Sequence, residues 1–461
     1  MSAPAASLVS AVRIEPERLA RYDVPGPRYT SYPTVPAWRG PFGPAEYQDA
    51  LRDLAALEQD PVSVYIHLPF CGYRCHYCAC NVAITTRGDV VDAYLDRLER
   101  ELDLVTAITG RSRRVVQLHL GGGTPNFLSV PQFDRLAAML EERFTFAPDA
   151  ERSVEADPRL ASREQMEALR GLGFRRISYG VQDLDAEVQV AIGRVQPEAV
   201  VRSAVELARD AGFEGINIDL IYGLPLQTPA RFEHTLATAL ALAPDRVACY
   251  SYAHLPEARH NQRLIDAAAL PSRDDKFRLF RMAVDAFTGA GYEWIGMDHF
   301  ARPADDLAAA ARERRLHRDF MGYTTRPAPH LLGFGMSAIG DVAGRFVQNV
   351  PRTGAYQRAL DQGMLPVERG HRLSEDDRRR REAILNLMCN LELPHRLLPP
   401  PEDESRAHLA PLVDDGLLAS LGDRYRVTPM GRYFLRNIAM ALDAHLSRQR
   451  QDARPLFSRT V

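Results

Sequence analysis

The chain has 461 residues, 46% of them hydrophobic and 25% charged, and its 57 Lys+Arg against 60 Asp+Glu leave a formal charge of −3. Such a composition excludes a mainly disordered or collagen-like chain, and the lack of net positive charge excludes bulk attraction to nucleic acid or anionic membrane. The length suggests about three domains, or one large α/β barrel with appendages.

Lys276 is the sole lysine. No lysine follows a glycine-rich loop, which excludes a P-loop ATPase. The charged stretch Asp274-Asp275-Lys276 is a poor setting for a Schiff base, which excludes a pyridoxal phosphate enzyme. Met1–Val12 has no early positive charge, sustained apolar core or processing site, so no signal peptide is expected there. No run reaches the roughly 18 consecutive apolar residues of a membrane span. The chain is read as cytoplasmic, without membrane insertion.

In chain order, residues 1–60 are proline-rich, with Gly26-Pro-Arg-Tyr-Thr-Ser-Tyr-Pro-Thr34, and read as an N-terminal arm draped over a barrel. From Val62 the pattern predicts strands at Val62–Leu68, Val115–Leu120, Ser153–Glu155, Arg176–Tyr179, Gly215–Ile221 and Val247–Tyr252. Helices are predicted between them at Val90–Val105, Pro131–Phe144, Arg163–Leu172, Pro197–Ala211 and Pro229–Leu242. Alternation of this kind predicts parallel βαβ units, and six of them make a partial or complete barrel. The barrel and its substrate-side extension are assigned residues 61–368. Beyond them, Ser374-Glu-Asp-Asp377 is a capping box for a helix running to about Leu391. Asp415-Gly-Leu-Leu418, Tyr425-Arg-Val-Thr-Pro-Met-Gly431 and a final apolar stretch complete a helix–hairpin–helix pattern. Residues 369–461 are therefore read as a small winged-helix-like domain, with mixed charges that favour a packing or lid role over DNA binding.

Functional groups of a parallel α/β barrel gather at the C-terminal ends of its strands. Four of the six cysteines crowd behind the first strand, in Cys71-Gly-Tyr-Arg-Cys75-His-Tyr-Cys78-Ala-Cys80. Gly121-Gly-Gly-Thr-Pro125 follows the second strand, Glu155 ends the third, and Gln182 follows the fourth. Asp219 lies late in the fifth, and Ala253-His254 close the sixth. This convergence on one rim points to an enzyme active site. In a reducing compartment the Cys-x3-Cys-x2-Cys spacing suggests metal or redox chemistry. Three thiolates can hold three irons of a [4Fe–4S] cubane and leave the fourth open. A structural zinc site, with His76 or Cys80 as fourth ligand, is the alternative, but no second cysteine knuckle is present. Cys80 could ligate, face the substrate or pack, whereas Cys249 and Cys389 sit in apolar contexts and read as core. Glycines 121–123 allow close backbone approach to a ligand. Glu155 and Asp219 can accept from an ammonium or from ribose hydroxyls, and Arg194 can offer a fork to a carboxylate.

At these residues the sequence resembles the radical S-adenosylmethionine enzymes, and more narrowly the bacterial oxygen-independent coproporphyrinogen III oxidases. The resemblance continues through Tyr65-Ile-His-Leu-Pro-Phe-Cys71, Leu118-His-Leu-Gly-Gly-Gly-Thr-Pro125, Gly180-Val-Gln-Asp183 and Asn217-Ile-Asp-Leu-Ile-Tyr-Gly-Leu-Pro225. Later stretches are Tyr252-Ala-His-Leu-Pro256, Ile295-Gly-Met-Asp-His-Phe-Ala-Arg-Pro303, Phe320-Met-Gly-Tyr-Thr-Thr325 and Leu332-Gly-Phe-Gly-Met-Ser-Ala-Ile-Gly340. It runs from about Arg21 to the C-terminus.

The resemblance implies a partial (β/α)6 TIM-like barrel with a [4Fe–4S] cluster on Cys71, Cys75 and Cys78. It implies two S-adenosylmethionine sites. Tyr65, Gly122, Glu155 and Ile339 would serve the cluster-bound molecule. Tyr77, Gly123, Thr124, Gln182, Arg194, Asp219 and Ala253 would serve the second. Glu155 and Phe320 are the implied catalytic residues, and Cys80 the family's extra cysteine that leaves iron alone. The implied reaction uses a 5′-deoxyadenosyl radical to convert two propionates of coproporphyrinogen III to vinyls, giving protoporphyrinogen IX. A low-potential electron donor and a monomeric enzyme are expected. Tyr77 stands where the family often has phenylalanine, and Met321 replaces a glutamine that could make amide hydrogen bonds. His299, Arg302, His317 and Arg318 are offered as propionate partners. The rival readings are a haem-binding delivery protein or haem-modifying radical enzyme of the same superfamily, and an iron–sulfur regulator acting on DNA. The Cys80-type cysteine and the N-terminal arm speak against the delivery protein; the charge balance and rim convergence speak against the regulator.

Overall fold

The computed structural model describes residues 12–38, 40–446 and 457–460. The signal-peptide expectation, Val12 apart, lies outside the described residues. Six parallel strands form the centre: β1 (Val62–Leu68), β2 (Arg113–Gly122), β3 (Phe144–Ala156), β4 (Arg176–Gln182), β5 (Gly215–Tyr222) and β6 (Arg246–Ser251). Each pairs in parallel with the next. Between them run α1 (Gly88–Thr109), α2 (Val130–Arg143), α3 (Arg163–Gly171), α4 (Glu198–Asp210) and α5 (Pro229–Ala241). Every strand and helix expected from the βαβ pattern is present. β3 begins at Phe144, well before Ser153, because Phe144–Phe146 pair with Arg113–Val115 ahead of an irregularity in the register. Pro148 and the acidic residues around it hide that first half from a reading by alternation.

The strands place opposite chemistry on their two faces. Ile177, Tyr179 and Val181 of β4, Ile216, Ile218 and Leu220 of β5, and Val247 and Cys249 of β6 are buried in the main apolar core. They share it with helix stripes such as Val201, Ala204, Val205 and Ala208 of α4, at the i, i+3, i+4, i+7 spacing of an amphipathic helix. Each buried Val, Ile or Leu among them contributes about 1.5–3 kcal/mol. The alternate residues, Ser178, Asn217, Asp219, Arg246, Ala248 and Tyr250, line an inner cavity. Because side chains alternate along a strand, one register fixes both the apolar core and the polar lumen.

The barrel is open. Beside β1 lies a seventh parallel strand, β7 (His330–Phe334), followed by antiparallel strands at Ile339–Val342, Arg345–Asn349 and Val367–Arg372. At the other edge His299–Ala301 and Glu293–Gly296 add antiparallel pairs beyond β6, so among the described residues the sheet has twelve strands. β7 is buried along its whole length, and a short apolar run without alternation carries no strand signature of its own.

Ser374 caps the helix Glu375–Asn390 in a reciprocal box with Asp377. A three-stranded antiparallel sheet (Glu392–Pro394, Leu418–Leu421, Arg424–Val427) and the helix Leu435–Met440 follow. The N-terminal segment packs chiefly on this C-terminal part. Tyr22 Oη donates to Asp415 (2.6 Å), Asn437 Nδ2 to the Tyr22 carbonyl (2.7 Å) and Tyr29 Oη to Asp443 (2.9 Å). The helix Pro44–Ala56 instead joins the central core through Leu51 and Leu54. Among the described residues no helix is long and apolar enough to cross a membrane.

Candidate active site

The cysteine loop leaves β1 and is pinched at its base by backbone bonds from Ala83 N to the Pro69 carbonyl (2.8 Å) and from Thr85 N to the Cys71 carbonyl (3.0 Å). Cys71, Cys75 and Cys78 all line a cavity of about 460 Å³ at the C-terminal ends of the strands. Each sulfur has a polar neighbour. Thr124 Oγ1 lies 3.3 Å from Cys71 Sγ, Arg194 Nη1 donates to Cys75 Sγ at 3.6 Å, and the Cys80 amide donates to Cys78 Sγ at 3.4 Å. Burial pushes the Cys71 thiol up to about 11 and also raises Cys75. The hydrogen bond with the Cys80 side chain draws Cys78 down to about 6.

Arg194 is buried, holds Asp157 at 3.1 Å and donates to the Gly180 carbonyl at 2.6 Å. Burial opposes its charge, but Tyr77, Asp157 and Cys75 together raise its pKa. Glu155, at the end of β3, accepts from the Gly122 amide (3.1 Å) and faces His119 Nε2 (3.4 Å). Burial would lift this carboxyl; the His119 hydrogen bond and charge and the Gly122 amide hold it below the ordinary value. Asp219 accepts from Ser178 Oγ (3.2 Å) and Asn217 Nδ2 (2.8 Å), yet burial, helped by the Glu155 charge, raises it to about 7.

A second cavity, of about 330 Å³, shares Ala79, Cys80, Gly122 and Glu155 with the first. Its other walls include Tyr65, His67, His119, Phe320, Met321, Leu331 and Ile339. Tyr65 Oη bonds His67 Nδ1 (3.0 Å) and its ring stacks on His119. Phe320 stands edge-on to Trp38 and Phe346. Gly122 has φ +118°, and a Cβ there would lie 2.8 Å from the His67 ring. At Gly123 a Cβ would lie 2.6 Å from the Pro69 backbone, so the strand end passes the cysteine loop only without side chains.

Of the residues singled out from the sequence, Tyr77, Gly123, Thr124, Gln182, Arg194 and Asp219 line the larger cavity. Tyr65, Phe320 and Ile339 line the smaller, and Glu155 and Gly122 line both. Ala253 lines neither; its carbonyl accepts from Gln262 Nε2 at 3.1 Å. His299 lines a third, inner cavity of about 140 Å³, which also has Met321 in its wall. Arg302 lines none of the three cavities and lies at the far end of β6, where its amide donates to the Asp245 carbonyl. His317 and Arg318 also lie outside the three linings, with Arg318 buried over the Tyr323 ring. His119 and Asp157, the partners of Glu155 and Arg194, escaped the sequence reading. The parity of β2, with Leu118 and Leu120 in the core, would have turned His119 toward the lumen.

The donor set fits an iron–sulfur cubane. Three thiols on one loop open on a cavity, whereas no three His, Cys, Asp or Glu side chains among the described residues gather as a single metal ion requires.

Comparison with known proteins agrees with that chemistry. Residues 65–239 match the Radical SAM superfamily and residues 373–434 the HemN C-terminal domain. The chain is a radical S-adenosylmethionine enzyme, which uses a [4Fe–4S] cluster and S-adenosylmethionine. It is 39% identical over 467 residues to the oxygen-independent coproporphyrinogen III oxidase of Synechocystis sp., covering 98% of each chain. The Escherichia coli enzyme of that name is 41% identical over 452 residues, covering 96% of this chain and 97% of its own. A solved structure of coproporphyrinogen III oxidase (HemN) from Escherichia coli superposes with a TM-score of 0.86 at 41% identity, over 91% of this chain and 97% of that one. The chain therefore belongs to the family of oxygen-independent coproporphyrinogen III oxidases.

Proposed function

We infer that this chain oxidatively decarboxylates two propionates of coproporphyrinogen III to vinyl groups, giving protoporphyrinogen IX without oxygen. The observation that carries the reading is the arrangement of three cluster-type thiols beside Glu155 and Gly122, in a chain similar over nearly its whole length to enzymes of that name. Each propionate loses a hydrogen atom from its β-carbon, one electron and CO2, and a vinyl remains. When bound, the cluster and S-adenosylmethionine supply a carbon radical able to take that hydrogen.

In this reading Cys71, Cys75 and Cys78 hold the cluster. Glu155, kept ionised by His119 and the Gly122 amide, accepts the methionyl ammonium of the first S-adenosylmethionine, while Tyr65 and Ile339 flank it. Asp219, Gln182, Arg194, Thr124, Gly123, Tyr77 and the nearby Ala253 serve a second molecule in the larger cavity. Phe320 and Met321 border the substrate side, and the apolar wall of Phe320, Ile339 and Leu331 keeps water from the reacting carbon. The enzyme acts as a cytoplasmic monomer fed by a low-potential electron donor. Anaerobic turnover of the reconstituted protein with coproporphyrinogen III, S-adenosylmethionine and a strong reductant tests this by mass spectrometry. Protoporphyrinogen IX, 5′-deoxyadenosine and methionine are expected. Cleaved S-adenosylmethionine with unaltered porphyrinogen would move the substrate elsewhere, and haem binding without cleavage would favour a delivery protein.

A further inference from the structure

The cysteine loop has four consecutive carbonyls, those of residues 75–78, that face two adjacent amide side chains. Asn261 Nδ2 donates to the carbonyls of Cys75 (3.1 Å), His76 (2.9 Å) and Cys78 (2.9 Å). Gln262 Nε2 donates to the carbonyl of Tyr77 (2.9 Å) and to that of Ala253, just past β6 (3.1 Å). The Gln262 amide oxygen accepts from Leu255 N, which fixes the orientation of a side chain only 1% exposed. Asn261 is oriented by its three acceptors. Turned over, its oxygen would face three carbonyl oxygens.

We propose that Asn261 and Gln262 clamp the cluster-binding loop and preorganise its three thiols, as positioning residues that touch neither cluster nor substrate. The electrostatics explain why a clamp is needed. Three thiolates on one loop repel the carbonyl oxygens of that loop, and an unconstrained loop would place some of these dipoles against the sulfurs. Drawing four carbonyls outward to amide donors leaves the sulfur side to N–H and O–H groups, as the Cys80 amide and the Thr124 hydroxyl show. On the other flank His76 N donates to the Ile192 carbonyl (2.9 Å), so the loop is gripped from both sides. Through Gln262 the clamp also couples the loop to the end of β6. The proposal rests on the cluster assignment above.

The test compares the full-length protein, anaerobically reconstituted, with Asn261→Asp, which keeps the shape but sets an oxygen against three carbonyls, and with Asn261→Ala. Cluster loss to a strong iron chelator is followed by visible absorbance. The thermal unfolding midpoint of each variant is measured without cluster. Outer-shell changes at metal sites cost about 10–100-fold, and chelator-driven loss is expected to accelerate by that factor while the cluster-free midpoint stays at the wild-type value. Wild-type retention in both variants overturns the clamp. So does an acceleration matched by an equal fall of the cluster-free midpoint, or failure of both variants to fold, since each marks a general structural role. A wild-type protein that takes up no cluster overturns the cofactor assignment itself, and the clamp with it.

Discussion

Gly122→Ala is the smallest change that tests the geometry at the junction of the two cavities. The backbone there has φ +118°, a conformation that L side chains rarely adopt, and the new Cβ would lie 2.8–2.9 Å from three atoms of the His67 imidazole. That ring cannot step aside. Its Nδ1 is held by Tyr65 Oη at 3.0 Å and its Nε2 by the Asn81 carbonyl at 2.9 Å, and the residue is only 6% exposed. A forced backbone conformation costs about 1–3 kcal/mol, and overpacking a filled site costs about 1–3 kcal/mol more. The sum, about 2–6 kcal/mol, is a large share of the roughly 5–15 kcal/mol that a native chain holds. The same push displaces Tyr65 and loosens the bond from the Gly122 amide to Glu155, so S-adenosylmethionine binding falls as well. Thermal unfolding of the cluster-free protein and calorimetric titration with S-adenosylmethionine read the two effects. Gly72→Ala on the cysteine loop is the internal control: its Cβ meets nothing within 4 Å, and its cost should stay within about 0.5 kcal/mol. A Gly122→Ala protein with wild-type midpoint and wild-type binding would refute the reasoning about both the φ angle and the His67 wall.

Glu155→Gln should fold and keep the cluster but bind S-adenosylmethionine about 10- to 150-fold more weakly, as expected for loss of a hydrogen bond to a charged group worth about 1.5–3 kcal/mol; unchanged affinity would remove Glu155 from the site. Cys71→Ala should lose the iron, whereas Cys80→Ala should keep the cluster absorbance, and iron loss in the second variant would make Cys80 a ligand. Asp219 should leave a mark on pH dependence. Burial raises it to about 7 in the folded chain, against about 3.9 for an ordinary aspartate, so the folded state binds the proton more tightly. Its stabilising contribution is complete below about pH 4 and is lost as the pH rises through about 7. Asp219→Asn should gain on the wild type between pH 5 and pH 8 in urea-unfolding midpoints; a parallel pair of pH profiles would contradict this.

The barrel was legible because its signal is periodic. β4 and β5 alternate apolar and polar residues, and β2, β3 and β4 close on the glycine, carboxylate and amide that the rim uses. What stayed hidden lacks such a period. β7 is buried from His330 to Phe334 and reads as a generic apolar run, although it carries the chain back beside β1 and delivers Ile339 to the smaller cavity. Residue type alone could not place the proposed propionate partners either. His299 reaches a cavity because the antiparallel pairing with β6 turns it inward, while Arg302, three residues on, lies at the other end of that strand. Asn261 and Gln262 sit in a polar run of sequence, Arg259 to Arg263, and only the tertiary fold sets them against the cysteine loop.

Spacing alone left Cys80 open to three roles, and its place in the fold narrows them. An apolar packing role fails, since Cys80 is exposed and borders both large cavities. It shares that border with Glu155 and Gly122, the pair joined by the amide-to-carboxylate bond. Both cavities mix polar with apolar walls: Arg194, Asp219 and Gln182 stand in the larger, and Phe320, Ile339 and Leu331 stand in the smaller beside His67, His119 and Gln348. The Cys80 amide donates to Cys78 Sγ and its thiol makes a further hydrogen bond with the same residue, so Cys80 braces the cluster loop from backbone and side chain alike.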